Sequence, residues 1–145
     1  MFVIKKEAFV KECLKEASNA ETEWKEIVPC EPPWHYRNKM EFSFSDSKWL
    51  TLEQIKSDEI IENRNALGFH IPGMWDKILD IDKCWLQRDP SNAIRNFVKT
   101  KAEEMGLTFF NNRKQEGFLR TLMMRTSSTG DLMVLIQFFH EDETS

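Results

Sequence analysis

The spacing of apolar residues changes along the chain, and each spacing predicts a different element. The apolar positions of "IKKEAFVKECLKEASN" recur at helical intervals, which predicts an amphipathic N-terminal helix over residues 4–18. Three prolines within residues 19–35 interrupt regular structure, so this segment is expected to be a connector. In "RNKMEFSFS", Met40, Phe42 and Phe44 alternate with polar residues, which is the period of a half-buried strand.

Two turns predict two β-hairpins. Pro72 and Gly73 stand between short apolar runs and suit the central positions of a type II turn. Further along, "FLRTLMMRT", the polar turn "SSTGD" and "LMVLIQFF" predict a second hairpin. The last strand is apolar at consecutive positions, which favours burial on both faces and a central place in the sheet. The final residues, "HEDETS", are expected to form a solvated tail.

The strongest helix signal lies between the two hairpins, in "RDPSNAIRNFVKTKAEEMG". Asp89 suits the N-cap, Pro90 the first helical position and Gly106 the residue that ends the helix. A stripe of apolar residues should face the sheet: Ile94, Phe97, Val98, Ala102 and Met105.

These elements predict an α+β fold. We expect a mostly antiparallel sheet of about five strands within residues 36–140, with two main helices packed on it. The length of 145 residues, with 41% hydrophobic and 30% charged positions, fits one soluble domain over residues 1–145.

Charge and cysteine content narrow the functional classes. The formal net charge of -4 gives no global attraction to nucleic acid, so any such binding requires a local cluster of cations. Cys13, Cys30 and Cys84 are odd in number and far apart, unlike a disulfide framework or a zinc site. With no apolar run long enough for a membrane span and no signal peptide, a cytoplasmic location is expected.

Candidate binding residues cluster where the first strand begins. Tyr36, Arg37 and Lys39 combine an aromatic ring with two cations, a set suited to phosphates and base edges. The alternative is a solvated strand entrance. His70, within a short predicted strand, either donates to a base or phosphate or simply packs.

Arg120 and Arg125 both fall in one predicted strand. They are five positions apart, so in a regular strand they point to opposite faces. Arg120 would share the more apolar face, where a carboxylate or backbone carbonyls should hold it, because a buried unpaired arginine is costly. Arg125, just before the polar turn, would be the exposed one.

Catalytic signals are weak. The five glycines include no G-x-G pair, so neither a dinucleotide fingerprint nor a phosphate-cradling loop can be identified. Cys84 is either a nucleophile or a small buried hydrophobe, and no Cys/His or Ser/His/Asp arrangement supports the first reading. No residue of this chain is therefore assigned a catalytic role.

Five stretches, "HYRNKMEFSFS", "LGFHIPG", "DIDKCWLQ", "SNAIRNFV" and "EGFLRTLMMRTSSTGDLMV", resemble in order and spacing the middle of the RNA uracil-5-methyltransferases, especially the type that acts on 23S ribosomal RNA. The resemblance covers about residues 33–140. It implies a central region between an N-terminal RNA-binding barrel and a C-terminal domain that binds S-adenosylmethionine and supplies a cysteine nucleophile. Neither domain has a match here, so the chain is expected to be inactive alone.

The resemblance also implies a role for the candidate residues. Tyr36, Arg37, Lys39, His70 and Arg125 become expected RNA contacts, and Arg120 a structural or RNA-binding residue. The implied partners are RNA, most of all ribosomal RNA, and the protein's own missing N- and C-terminal domains, with no DNA and no membrane.

Many members of that family hold a 4Fe–4S cluster, and Cys84 aligns with the fourth ligand. Its three partners have no counterparts at the required spacing, so Cys84 is expected to be at most an orphaned ligand, with no cofactor bound by this chain. Two alternatives remain: a stand-alone, non-catalytic interaction module of related fold, and a small independent Cys/His enzyme.

Overall fold

The computed structural model describes residues 2–57 and 60–139. Its contacts divide the chain after Trp34 into two compact units. The predicted solvated tail "HEDETS" lies outside the described residues. Within those residues, every helix is too short or too polar to cross a membrane.

The N-terminal unit contains one helix, α1 (Phe2–Cys13), which ends before the predicted boundary at residue 18. The reason is a change in hydrogen bonding just beyond Cys13. The N–H group of Lys15 donates to the carbonyl of Glu12, three residues back, at 3.3 Å. The α-helical ladder therefore tightens into turns at this point.

The described part of the C-terminal unit forms a five-stranded antiparallel sheet with two helices, which confirms the predicted α+β fold. The strand order is β3-β2-β1-β4-β5. Gly73, at φ +80°, closes the first hairpin at the predicted turn. The elements are β1 (Lys39–Ser45), α2 (Leu52–Lys56), β2 (Ala66–Ile71), β3 (Met74–Asp80), α3 (Ser91–Glu104), β4 (Leu119–Thr126) and β5 (Leu132–Phe138).

The core lies on one face of β1 and β4. Met40 is paired with Met124 and Phe42 with Leu122, and all four side chains are buried. Partners in an antiparallel register point to the same face, so this register joins both apolar rows into one surface. Ala102 of α3 packs into the same cluster.

Helix α3 begins at Ser91, one residue later than predicted. Pro90 has ψ 19°, outside the helical range, and is the N-cap residue instead of the first helical residue. The Asp89 carboxylate nevertheless accepts a hydrogen bond from the N–H group of Asn92 at 3.2 Å. The predicted apolar stripe is partly wrong, since Phe97 is 61% exposed and Met105 is 69% exposed.

The buried face of α3 contains an arginine, Arg95, and not Phe97 or Met105. Arg95 is 1% exposed, and its guanidinium lies 5.1 Å from the ring centroid of Phe42. Its Nη atoms donate to the side-chain oxygens of Asn92 and Asn96, at 3.1 and 3.2 Å. Burial lowers the pKa of Arg95, and nearby acidic groups oppose that shift.

The prediction that the last strand is central is wrong. β5 is an edge strand, paired with β4 alone in the described sheet. Met133, Val134, Leu135 and Phe138 are each between 42% and 51% exposed. Leu132 and Ile136 pack partly against the core. Met133 and Leu135 lie on the other face, so the apolar run does not mark a strand that is buried on both faces.

Candidate nucleic-acid interface

A cluster of cations lies where β1 begins and β4 ends. These two ends meet because the strands are antiparallel, and the register places Lys39 directly opposite Arg125. Both side chains are exposed. Like charges directly opposite each other destabilise a sheet, so this pair makes no evident contribution to folding and presents a doubly positive patch to solvent.

Backbone hydrogen bonds hold the segment before β1 beside this pair. The N–H groups of His35 and Arg37 donate to the carbonyls of Trp85 and Leu86, at 2.8 and 2.9 Å. This pairing brings Arg37 and the exposed Arg88 to the same end of the sheet as Lys39 and Arg125. We call Arg37, Lys39, Arg88 and Arg125 the cation cluster.

A buried glutamine fixes these segments relative to one another. Gln87 is 1% exposed, and its amide nitrogen donates to the carbonyls of Asn38 and Met124, at 3.2 and 3.3 Å. The Ser91 hydroxyl donates to its amide oxygen. One side chain thereby ties the start of β1, the end of β4 and the start of α3 together. The irregular segment around Gln87 has no periodic pattern, so no feature of the sequence indicated this role.

The cation cluster is not neutralised within the described residues. Arg37, Arg88 and Arg125 form no salt bridge there, and Lys39 has a long, exposed one of 3.6 Å to Glu41. Exposed pairs of this kind contribute little to stability. The four cations are therefore available to an external anion.

Two buried carboxylates are instead engaged elsewhere on the sheet. Burial raises the pKa of Asp80, but hydrogen bonds from Lys48 and Lys99 and from a backbone N–H group outweigh it, so the pKa lies below its ordinary range. The hydrogen bond from Arg113 outweighs burial and holds the pKa of Asp76 low as well. The negative net charge of the chain thus coexists with a local positive surface.

No family model matches the chain. Over 101 residues it is 55% identical to a protein named as an uncharacterized RNA methyltransferase in Bacteroides thetaiotaomicron, an alignment that covers 70% of this chain and 22% of that protein. This chain belongs to the RNA methyltransferase family. A second protein of that name, from Porphyromonas gingivalis, is 46% identical over 125 residues, with 83% of this chain and 27% of that protein covered.

The chain spans between about a fifth and a quarter of the length of these curated relatives. Among solved structures, it is similar to the Pyrococcus abyssi tRNA (uracil-54, C5)-methyltransferase in complex with S-adenosyl-L-homocysteine, with a TM-score of 0.65. At 24% identity, with 99% of this chain and 31% of that chain covered, this likeness establishes the fold.

The face predicted for Arg120 in this member of the RNA methyltransferase family is wrong. The pairing of β4 with β5 shifts between Leu119 and Thr121, so a β-bulge interrupts the alternation of side chains at Arg120. Leu119 is consequently buried and Arg120 is exposed. The guanidinium carbon lies 4.9 Å from the ring centroid of Phe110, and no carboxylate pairs with it among the described residues.

His70 lies outside the cation cluster. Its Nε2 atom is 3.2 Å from the hydroxyl of Ser43, and the side chain is exposed. Ser43 is paired with Gly68, so His70 and Lys39 share the open face of the sheet on neighbouring strands.

Cys84 is 7% exposed and its backbone is held by Asn92, whose side chain bonds both the N–H and the carbonyl group of Cys84. Across the described ranges, no group of three or more His, Cys, Asp or Glu side chains is arranged to hold a metal ion. The residues present therefore do not fit a 4Fe–4S cluster, which needs four ligands.

Proposed function

We propose that this chain is the RNA-contacting central region of an S-adenosylmethionine-dependent RNA uracil-5-methyltransferase that acts on 23S ribosomal RNA. The observation that carries the proposal is the cation cluster: four cations at one end of the sheet, three of them without a salt bridge among the described residues. Phosphate oxygens are the anions that RNA offers in greatest number, and arginine and lysine are the usual donors to them.

The role we propose is positioning and not chemistry. Cys84 is buried, which does not suit a nucleophile that must reach a uracil base. The glycines of the sequence offer no G-x-G pair of the kind that brings a backbone close to a nucleotide-like cofactor. In this proposal S-adenosylmethionine and the nucleophilic cysteine belong to another part of a longer protein, and this region orients the RNA.

The relatives support the RNA class of substrate. Two proteins at 55% and 46% identity are named RNA methyltransferases. The solved structure of similar fold is named for uracil-54 of tRNA, which makes tRNA the natural competitor in any binding experiment. The ribosomal substrate is our proposal from the sequence resemblance.

Arg125→Ala is expected to weaken binding of a 23S ribosomal RNA fragment and to reduce the salt slope of log K by about 0.7 to 0.9, because one phosphate contact is lost. The melting temperature should change little, since the Arg125 side chain is exposed and unpaired. Lys39→Ala should behave in the same way. Fluorescence anisotropy of labelled RNA at several salt concentrations measures both quantities.

Arg120→Ala is the matched control, because it removes the same charged group from the same strand at the end away from Arg125. We expect the RNA affinity of this variant to stay close to that of the wild type. If Arg120→Ala weakens binding while Arg125→Ala and Lys39→Ala do not, the proposed surface is the wrong end of the sheet. Tighter binding of tRNA than of the ribosomal fragment would contradict the proposed substrate.

A further inference from the structure

A groove of about 370 Å³ opens beside the cation cluster. One wall is the segment from His35 to Asn38, and the residues just before α3 form another. The β4–β5 turn closes the third side with Ser127, Ser128 and Gly130. The space is large enough for one small ligand and too small for a double helix.

Three side chains that line the groove form no ion pair, side-chain hydrogen bond or ring contact within the described structure. Arg37 and Arg88 form no salt bridge and no side-chain hydrogen bond there. Tyr36 is 56% exposed, and its ring has no aromatic partner among the described residues. Two guanidinium groups and a free aromatic face are therefore directed to a ligand or to water.

One acidic residue also lines the groove. Asp89 is exposed, but its Oδ1 atom already accepts two hydrogen bonds from Asn92, at 3.0 and 3.2 Å. Arg37 and Arg88 outnumber this single carboxylate, so the residues that line the groove carry a net positive charge. An anionic ligand is therefore favoured over a neutral or cationic one.

We propose that this groove binds one nucleotide of single-stranded RNA, with the phosphodiester between Arg37 and Arg88 and the base stacked on Tyr36. The inference rests on the proposed function and specifies which RNA feature the region reads. A base in a duplex has both faces covered by its neighbours, so stacking on a tyrosine requires an unpaired, unstacked nucleotide. The groove thus selects a loop or bulge over a helix.

The phosphate part is tested with the 145-residue chain and a fluorescein-labelled single-stranded uridine decamer. Arg37→Ala and Arg88→Ala are each expected to reduce the salt slope of log K by about 0.7, the value for one phosphate on a single strand. Lys101→Ala removes an equal charge from the far end of α3, where Lys101 pairs with Glu104, and should leave the slope unchanged.

The stacking part is tested with Tyr36 variants and a second probe. Tyr36→Leu should weaken decamer binding by about fivefold or more at an unchanged salt slope, and Tyr36→Phe should bind like the wild type. On an abasic oligonucleotide with the same phosphates, Tyr36→Leu and the wild type should bind equally. A duplex of the same length should show no Tyr36 effect.

The outcomes separate this inference from the proposed function. If Arg125→Ala weakens binding while Arg88→Ala and Tyr36→Leu do not, RNA contacts the sheet end but not the groove, and the inference is wrong. If Tyr36→Leu weakens abasic and base-containing probes alike, the base does not stack there. Absence of any RNA binding by the wild-type chain overturns both proposals.

Discussion

Gly68→Ala is expected to destabilise the C-terminal unit by about 3 kcal/mol or more, since overpacking against backbone cannot be relieved by a rotamer change. A Cβ atom at Gly68 would lie 1.9 Å from the carbonyl oxygen of Leu79 and 3.1 Å from its carbonyl carbon. Gly68 is paired with Asp80 on β3, so the two strands would have to separate where Asp80 is held. Urea denaturation followed by circular dichroism measures the loss.

Gly73→Ala provides the control in the same hairpin. Gly73 has φ +80°, and no residue beyond its two chain neighbours lies within 4 Å of an added Cβ, so alanine there meets backbone strain alone. That strain costs about 1 to 2 kcal/mol. Equal losses for the two variants would show that the close approach of β2 to β3 does not limit residue 68.

Asp80→Asn is expected to lower the free energy of unfolding by about 3 kcal/mol, because it strands two partly buried lysines. The Asp80 side chain is 8% exposed, and Lys48 and Lys99 are 28% and 23% exposed. Asparagine keeps the shape and an oxygen acceptor for the N–H group of Leu67, so the loss reports the charge. Glu62→Gln removes an exposed carboxylate that forms no salt bridge among the described residues, and should change stability by less than about 0.5 kcal/mol.

The ion pairs of Asp80 with Lys48 and Lys99 predict that the free energy of unfolding depends on pH. The pKa of Asp80 is lower in the folded state than its ordinary value, so its contribution is fully present above the ordinary carboxyl range. The contribution is lost as the pH falls through the folded-state pKa. Denaturation curves of wild type and Asp80→Asn should therefore converge in acid. A difference in the free energy of unfolding between the two proteins that stays constant with pH would contradict this role of Asp80.

The local chemistry of the sequence was sufficient for the elements near the site. The alternation of Met40, Phe42 and Phe44 predicts β1 and its buried face, and the structure confirms both. This inference succeeds because it depends only on neighbours along the chain. Tyr36, Arg37 and Lys39 are candidates from their residue types, and those types do not show which distant segment lies beside them.

Arg88 and Gln87 show why the sequence pattern does not identify the distant parts of the site. Arg88 joins the cation cluster through a connection between β3 and α3 that no period marks, and Gln87 is buried because two strand ends and a helix start meet around it. Such positions depend on long-range register. The surrounding sequence, "KCWLQRDP", has the composition of an ordinary loop.

For Arg95 and Arg120, the sequence pattern predicts the wrong burial. Parity along a regular strand assigned Arg120 to the apolar face, but the bulge in β4 reverses that assignment. The buried arginine is instead Arg95. It lies on the face of α3 that packs against the sheet, where the helical pattern predicts only apolar residues. A ring face and two amides accommodate the Arg95 guanidinium, and those partners become visible only when α3 is placed on β1.

The location of the RNA is tested most directly by photo-cross-linking the chain to a 4-thiouridine-substituted 23S ribosomal RNA fragment and mapping the attached peptides by mass spectrometry. We predict cross-links in two segments that are far apart in sequence, residues 35–39 and 125–130, which meet at one end of the sheet. Cross-links confined to the opposite end, such as residues 106–117, would contradict the account.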